Sequence, residues 1–191
     1  MEKIYQDKKP GNCTLVNDGK YEGALAYHKR KQNENVPLIL SHPTYDYIHA
    51  LSIKIWDDIQ TQKTNFDLIV GLSRGGLLPG VIISHQFGIP FKPLEYSSKK
   101  GQGGKQSLNN IPKWILHNKY NLKPTKVLLV DDIVDSGHTF KEIVDILKSQ
   151  KFEVTTAALY HKESAVFAPD YVGHIIPKDF GWVVFPFEKE V

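Results

Sequence analysis

Cysteine is almost missing from this chain. One residue, Cys13, stands among 191, so no internal disulfide can form, and no thiolate metal site can be built from one sulfur. The eight histidines show no zinc-ligand spacing. No apolar run approaches the roughly 18 residues that a membrane helix needs. Trp182-Val183-Val184-Phe185-Pro186-Phe187 is among the longest, and a proline breaks it. Met1-Glu2-Lys3-Ile4-Tyr5-Gln6-Asp7 carries charge where a secretory signal would carry an apolar stretch. These absences lead to the expectation of a cytoplasmic protein that neither spans nor binds a membrane. With 41% hydrophobic residues, the chain can bury a core, which excludes a disordered or fibrous class.

Acidic residues are missing locally. None occurs from Tyr96 to Val130, while Lys99, Lys100, Lys105, Lys113, Lys119, Lys123 and Lys126 fall there; Asp131, Asp132 and Asp135 follow at once. A lysine-rich stretch beside clustered carboxylates suits a polyanion bound together with a divalent cation. The net charge of +3 is too small to argue for nucleic acid by itself.

Apolar periodicity predicts an alternation of strands and helices. Ile48, Leu51, Ile55 and Ile59 mark a helix that starts near Ser41–Pro43 and ends near Gln62. Strands are expected at Asp67–Leu72, Phe91–Tyr96, Lys126–Val130 and Glu153–Tyr160, with helices at Leu77–Phe87 and Thr139–Gln150, the latter facing inward through Ile143, Ile146 and Leu147. Residues 1–40 read as turns and a short hairpin, and Ser97–Lys105, without a core-forming residue, as a mobile loop. Such alternation argues for a mainly parallel sheet covered on both faces. Ligands of these sheets sit outside the carboxyl ends of the strands, so the turns Ser73–Gly76 and Asp131–Thr139 should open on one crevice.

The strongest motif is Val127-Leu128-Leu129-Val130-Asp131-Asp132-Ile133-Val134-Asp135-Ser136-Gly137-His138-Thr139. Four apolar residues make a buried strand with two carboxylates at its tip. A turn of small residues then opens a helix whose free amides, with the Ser136 and Thr139 hydroxyls, suit a phosphate dianion. The adjacent carboxylates suit vicinal ribose hydroxyls and Mg²⁺. Gly71-Leu72-Ser73-Arg74-Gly75-Gly76 supplies a second anion-binding turn, to which Arg74 adds fixed charge. Gly101-Gln102-Gly103-Gly104-Lys105 hints at a P-loop, but Gln106 stands where Ser or Thr must follow the lysine.

The thirteen-residue segment resembles the phosphoribosyl-pyrophosphate signature of the type I phosphoribosyltransferases. The Ser73–Gly76 turn resembles the pyrophosphate loop of the xanthine–guanine and hypoxanthine branch. Asp170-Tyr171-Val172-Gly173 and Pro177–Glu188 resemble that branch's hood. The resemblance covers roughly residues 45–188. It implies an α/β fold with a mainly parallel twisted sheet flanked by helices and a small hood from the chain ends. Expected boundaries are an extension at 1–40, a core at 41–175 and a hood segment at 176–191.

The implied reaction joins a 6-oxopurine (hypoxanthine, guanine or xanthine) and phosphoribosyl pyrophosphate to give the nucleoside monophosphate and pyrophosphate, with Mg²⁺ and in a homodimer or homotetramer. Asp131 and Asp132 would hold the ribose hydroxyls and the metal. Ser73, Arg74, Gly75 and Gly76 would hold the pyrophosphate, with Lys99, Lys100 or Lys105 closing over it. Asp135, Ser136, Gly137, His138 and Thr139 would form the 5′-phosphate turn, and Asp135 would also contact the purine near its imidazole nitrogen. Lys162 would read the exocyclic oxygen, Trp182 would stack on the base, and the Val183 backbone would touch its edge.

The chain departs from the pattern at several points. Phe180 rivals Trp182 as the stacking ring, Phe187 stands where a second tryptophan is common, and His138 replaces a small residue. Two other readings stay open: a phosphoribosyltransferase for another base, and a nucleotide-sensing regulator that binds nucleic acid through its lysine-rich stretch and Lys29-Arg30-Lys31.

Overall fold

The computed structural model describes residues 13–15, 39–95, 112–118, 120–121 and 125–188, the first three and residues 39–40 by their backbone alone. The chain divides into two compact units, one of Met1–Ile48 with Asp179–Val191 and one of His49–Lys178.

The larger unit is built on five strands: β3 (Leu68–Ser73), β4 (Phe91–Glu95), β5 (Thr125–Val134), β6 (Phe152–Lys162) and β7 (Tyr171–Ile176). Their order is β4-β3-β5-β6-β7, and every pairing is parallel. The helices are α1 (Tyr45–Thr61, continuing from the smaller unit), α2 (Leu77–Phe87), α3 (Lys113–Asn118) and α4 (His138–Ser149). On one face, Phe140, Ile143, Val144 and Leu147 of α4 and Ile115 of α3 bury Leu68, Val70, Leu72, Val127 and Leu129. On the other, α2 approaches so closely that a Cβ on Gly80 would meet the Phe91 ring at 2.7 Å, and α1 brings Leu51 against Gly173. Both faces of β5 are therefore covered. That is why Val127–Val130 is an unbroken apolar run with no residue left exposed. The expectation of a parallel sheet flanked by helices is borne out.

Several boundaries differ from those read in the sequence. β5 runs on through Asp131, Asp132, Ile133 and Val134, because β6 keeps pairing with it up to Val134↔His161 after β3 has stopped at Gly71↔Val130. The two carboxylates thus lie within a strand that has lost one neighbour. Along α4 the buried stripe is Phe140, Ile143, Val144 and Leu147, and Ile146 is only half-buried. Asp170–Gly173 is not hood. The Asp170 carboxylate accepts the Thr156 amide and hydroxyl, both at 2.7 Å, and the residues after it form β7 of the main sheet.

The smaller unit holds a three-stranded sheet: β1 (Cys13–Leu15), β2 (Ile39–Ser41) and β8 (Trp182–Val183), in the order β1-β2-β8. β1 and β2 are antiparallel, and β2 and β8 parallel. Phe185 is buried and stacks on Phe187 at 5.1 Å, and the Tyr45 hydroxyl donates to the Pro186 carbonyl at 3.2 Å. Among the described residues, no helix is long and apolar enough to cross a membrane.

Candidate active site

From β3 the chain steps outward to β4, then returns to the far side of β3 as β5. The strand order reverses between β3 and β5, and in open parallel sheets the crevice beyond the strand ends at such a point is where ligands sit. Both turns singled out in the sequence leave the sheet there.

The first turn leans on the carboxylates. A Cβ on Gly75 would overlap the carboxyl group of Asp132; only glycine lets the turn come this near. The Ser73–Arg74 peptide is cis, and Arg74 is exposed. The Gly76 amide donates to the Leu72 carbonyl at 2.8 Å, and that of Leu77 to the Arg74 carbonyl at 3.2 Å. The Gly76 amide thus serves both the Leu72 carbonyl and the Asp131 carboxylate, and the amides of Arg74 and Gly75 take no part in the two turn bonds.

Asp131 and Asp132 lie side by side on β5. The Asp132 amide donates to the Asp131 carboxylate at 3.0 Å, and the Ile133 amide to that of Asp132 at 2.8 Å. Burial above all, and then the Asp132 charge, push the Asp131 carboxyl well above the usual carboxylate range. The amides of Asp132 and Gly76 pull it the other way without undoing the shift. Two crowded carboxylates make a site that a cation relieves. Among the described residues no three His, Cys, Asp or Glu side chains gather to hold a metal. The donor set fits Mg²⁺, which takes one or two protein carboxylates and completes its shell with water and substrate oxygens.

The second turn ends at α4. Gly137 caps the helix in the left-handed region at φ 81°, with no side chain capping the helix. The first helical bond across this end runs from the Lys141 amide to the Gly137 carbonyl at 3.1 Å, which leaves the amides of the first turn to serve as an anion cradle. Ser136 and His138 are exposed at its rim and Thr139 is half-buried. Just before it, Asp135 meets Lys162 from the end of β6, Oδ1 to Nζ at 3.2 Å. These two residues are 27 positions apart in sequence, and the register Val134↔His161 sets them side by side. His161, which the sequence reading did not mark, keeps a buried Nε2 without a hydrogen-bond partner among the described residues.

Trp182 and Val183 belong to the smaller unit. The parallel pairing of Ser41 with Val183, with the Val184 amide donating to the Ser41 carbonyl at 2.8 Å, commits residues 182 and 184 to β2. Val183 therefore turns its own N–H and C=O toward the open edge of β8. Its side chain is buried, while Trp182 and Phe180 are both half-buried. Lys99, Lys100, Lys105 and the loop Ser97–Lys105 lie outside the described residues.

Residues 39–189 match the family model described as the phosphoribosyl transferase domain, nearly the whole described chain. The chain belongs to that family. It is 28% identical over 146 residues to the xanthine-guanine phosphoribosyltransferase of Gluconobacter oxydans, covering 76% of this chain and 82% of that protein. To the hypoxanthine phosphoribosyltransferase of Haemophilus influenzae it is 27% identical over 147 residues, covering 75% and 82%. A solved purine phosphoribosyltransferase from Pyrococcus horikoshii superposes with a TM-score of 0.66 at 29% identity, over 78% of this chain and 94% of that one. In this phosphoribosyltransferase the paired carboxylates, the helix-opening turn and the glycine turn thus stand together at one sheet end.

Proposed function

We propose that this phosphoribosyltransferase joins a 6-oxopurine to the ribosyl carbon of phosphoribosyl pyrophosphate, releasing pyrophosphate and a purine nucleoside 5′-monophosphate. The observation that carries this reading is the Lys162–Asp135 pair at 3.2 Å. One edge of a 6-oxopurine offers an acceptor, the exocyclic oxygen, beside an imidazole nitrogen that carries a proton. An ammonium next to a carboxylate matches that edge, Lys162 donating to the oxygen and Asp135 accepting from the N–H.

The remaining roles follow from placement. The amides of Gly137 to Phe140 and the hydroxyls of Ser136 and Thr139 receive the 5′-phosphate. Asp131 and Asp132 accept from the ribose hydroxyls and provide oxygens for Mg²⁺. That cation, when bound, neutralises charge on the pyrophosphate and improves it as a leaving group. Ser73, Arg74, Gly75 and Gly76 hold the pyrophosphate, with the Arg74 guanidinium and the amides of Arg74 and Gly75 as donors. Trp182 stacks on the base, and the backbone of Val183 meets its edge. The chain ends act as the hood, in a homo-oligomer of the cytoplasm.

Pyrophosphate release in the presence of Mg²⁺ and phosphoribosyl pyrophosphate tests this against hypoxanthine, guanine, xanthine, adenine, uracil and orotate. Release is expected with a 6-oxopurine and is lost when Asp131→Asn and Asp132→Asn are combined. Release with adenine or a pyrimidine alone assigns another base. Binding of phosphoribosyl pyrophosphate with no release from any base assigns a regulator.

A further inference from the structure

The segment that follows β6 is tied at three points. The Glu163 amide donates to the Ile176 carbonyl at 3.0 Å, the Ala165 amide to the Lys162 carbonyl at 2.9 Å, and the Val166 amide to the Ser136 carbonyl at 2.9 Å. Next in line, the Phe167 backbone lies behind Gly137. A Cβ there would meet the Phe167 nitrogen at 2.7 Å and its Cβ at 2.9 Å. The Phe167 ring is anchored on the buried Phe140 of α4, with ring centres 5.6 Å apart.

The bond from Val166 acts on one peptide plane. The Ser136–Gly137 peptide is trans, and in a planar trans peptide the C=O and the N–H point in opposite directions. Holding the Ser136 carbonyl toward Val166 therefore aims the Gly137 amide away from it, with the other free amides of the α4 end. Without that bond the plane could rotate and present the carbonyl, whose negative end would repel a phosphate. Val166 as a residue is 62% exposed, so side-chain packing does not explain the contact; the backbone N–H does.

We infer that Val166 is a positioning residue, whose amide fixes the Ser136–Gly137 peptide in the orientation that receives the 5′-phosphate. This rests on the phosphate role proposed for that turn. The arrangement also puts the base-reading Lys162 and the phosphate turn on one tied segment, four residues apart.

The test compares inosine 5′-monophosphate with inosine by titration calorimetry on the whole protein. The wild type binds the monophosphate more tightly than the nucleoside. Val166→Pro, which removes the N–H, weakens the monophosphate by about tenfold or more, the scale of one hydrogen bond to a charged group, and leaves inosine unchanged. Val166→Thr keeps the amide and restores monophosphate affinity. Equal weakening of both ligands by Val166→Pro, or no weakening of either, overturns the inference. Should the proline variant not fold, hydrogen exchange of the wild-type Val166 amide decides, slowed by the monophosphate and not by inosine if the inference holds. Absence of a phosphate-specific slowing overturns it. A wild type that binds both ligands equally would instead remove the phosphate role of the turn.

Discussion

Lys162 and Asp135 form a half-buried ion pair, 3.2 Å from Nζ to Oδ1, with 15% and 26% of their side chains exposed. Pairs of this kind lie between the exposed ones, worth under about 1 kcal/mol, and buried ones that cost several when one partner is removed. In the free protein each charge satisfies the other. Under the proposed function a bound base takes over one contact from each, which would make selectivity for its edge a property of the pair. Lys162→Ala should raise KM for the 6-oxopurine by about tenfold or more, with adenine little affected. In a double-mutant cycle with Asp135→Asn the two losses should fall short of additivity. Equal losses for every base would remove Lys162 from base selection.

Gly75→Ala probes the contact between the first turn and the carboxylates. The new methyl would overlap the end of the Asp132 side chain, which is flexible and can swing aside, so the fold should survive with a melting temperature near that of the wild type. The displaced carboxylate is the one assigned to ribose and Mg²⁺. Turnover should fall by about a hundredfold, within the range of a misplaced reactant. Calorimetry of phosphoribosyl pyrophosphate binding with Mg²⁺ checks it. A fully active Gly75→Ala would mean that Asp132 is not needed where it stands.

Much of this architecture was legible in the sequence, because buried apolar runs and helical spacing carry it. The helix Leu77–Phe87 has the bounds expected for it, and the turn Ser73–Gly76 follows a strand where one was read. Three features escaped. Asp170–Gly173 resembled a hood motif, whereas its aspartate ties down Thr156 and its tyrosine begins an edge strand, a long-range pairing with no local signature. The Val166 amide escaped because a backbone donor looks alike at every residue. The extension of β5 to Val134 escaped because two aspartates read as a turn when the pairing strand is unseen.

Asp131 exacts a stability cost in the metal-free fold. Its carboxyl titrates well above the usual range, from burial first and Asp132 second, so above the ordinary carboxylate value the folded chain carries a penalty that the unfolded chain does not. Asp131→Asn should therefore melt higher than the wild type in EDTA, by a few degrees at about 2–4 °C per kcal/mol. The gap should narrow as pH falls toward the ordinary carboxylate value near 4, because the wild-type group then takes up its proton. Melts from pH 7.5 to 5 read this directly. A variant that melts lower throughout would show that the charge is already well accommodated.

His174 on β7 gives a dependence of opposite sign. Burial lowers its pKa, and its ring lies 5.6 Å from that of Tyr160. Above the unfolded value of about 6.5 both states are neutral and nothing is lost. As pH falls below it the unfolded chain takes the proton first, so stability drops until the folded value is passed. Denaturant midpoints for His174→Gln should fall less than those of the wild type between pH 7 and pH 5. Parallel curves would show that the histidine does not contribute.

Trp182 and Phe180 are the two candidates for the stacking ring of the proposed base site, and the backbone distinguishes them. Trp182 is held in β8 by the pairing of Leu40 with Trp182 and of Ser41 with Val183, so its ring is presented from a fixed strand. Phe180 precedes β8, in a stretch with no strand pairing of its own. An aromatic ring contributes to stacking about 1–3 kcal/mol per base when its plane is fixed in advance. Trp182→Leu should therefore raise KM for the base about tenfold while KM for phosphoribosyl pyrophosphate stays the same. Phe180→Leu, which trades one apolar side chain for another outside any strand, should change both by less than about threefold. Val183 adds a control. Its outward N–H and C=O survive any side-chain change, so Val183→Ile should keep base affinity provided the buried site admits one more methylene. If Phe180→Leu weakens the base and Trp182→Leu does not, the stacking ring lies two residues earlier, in the stretch before β8.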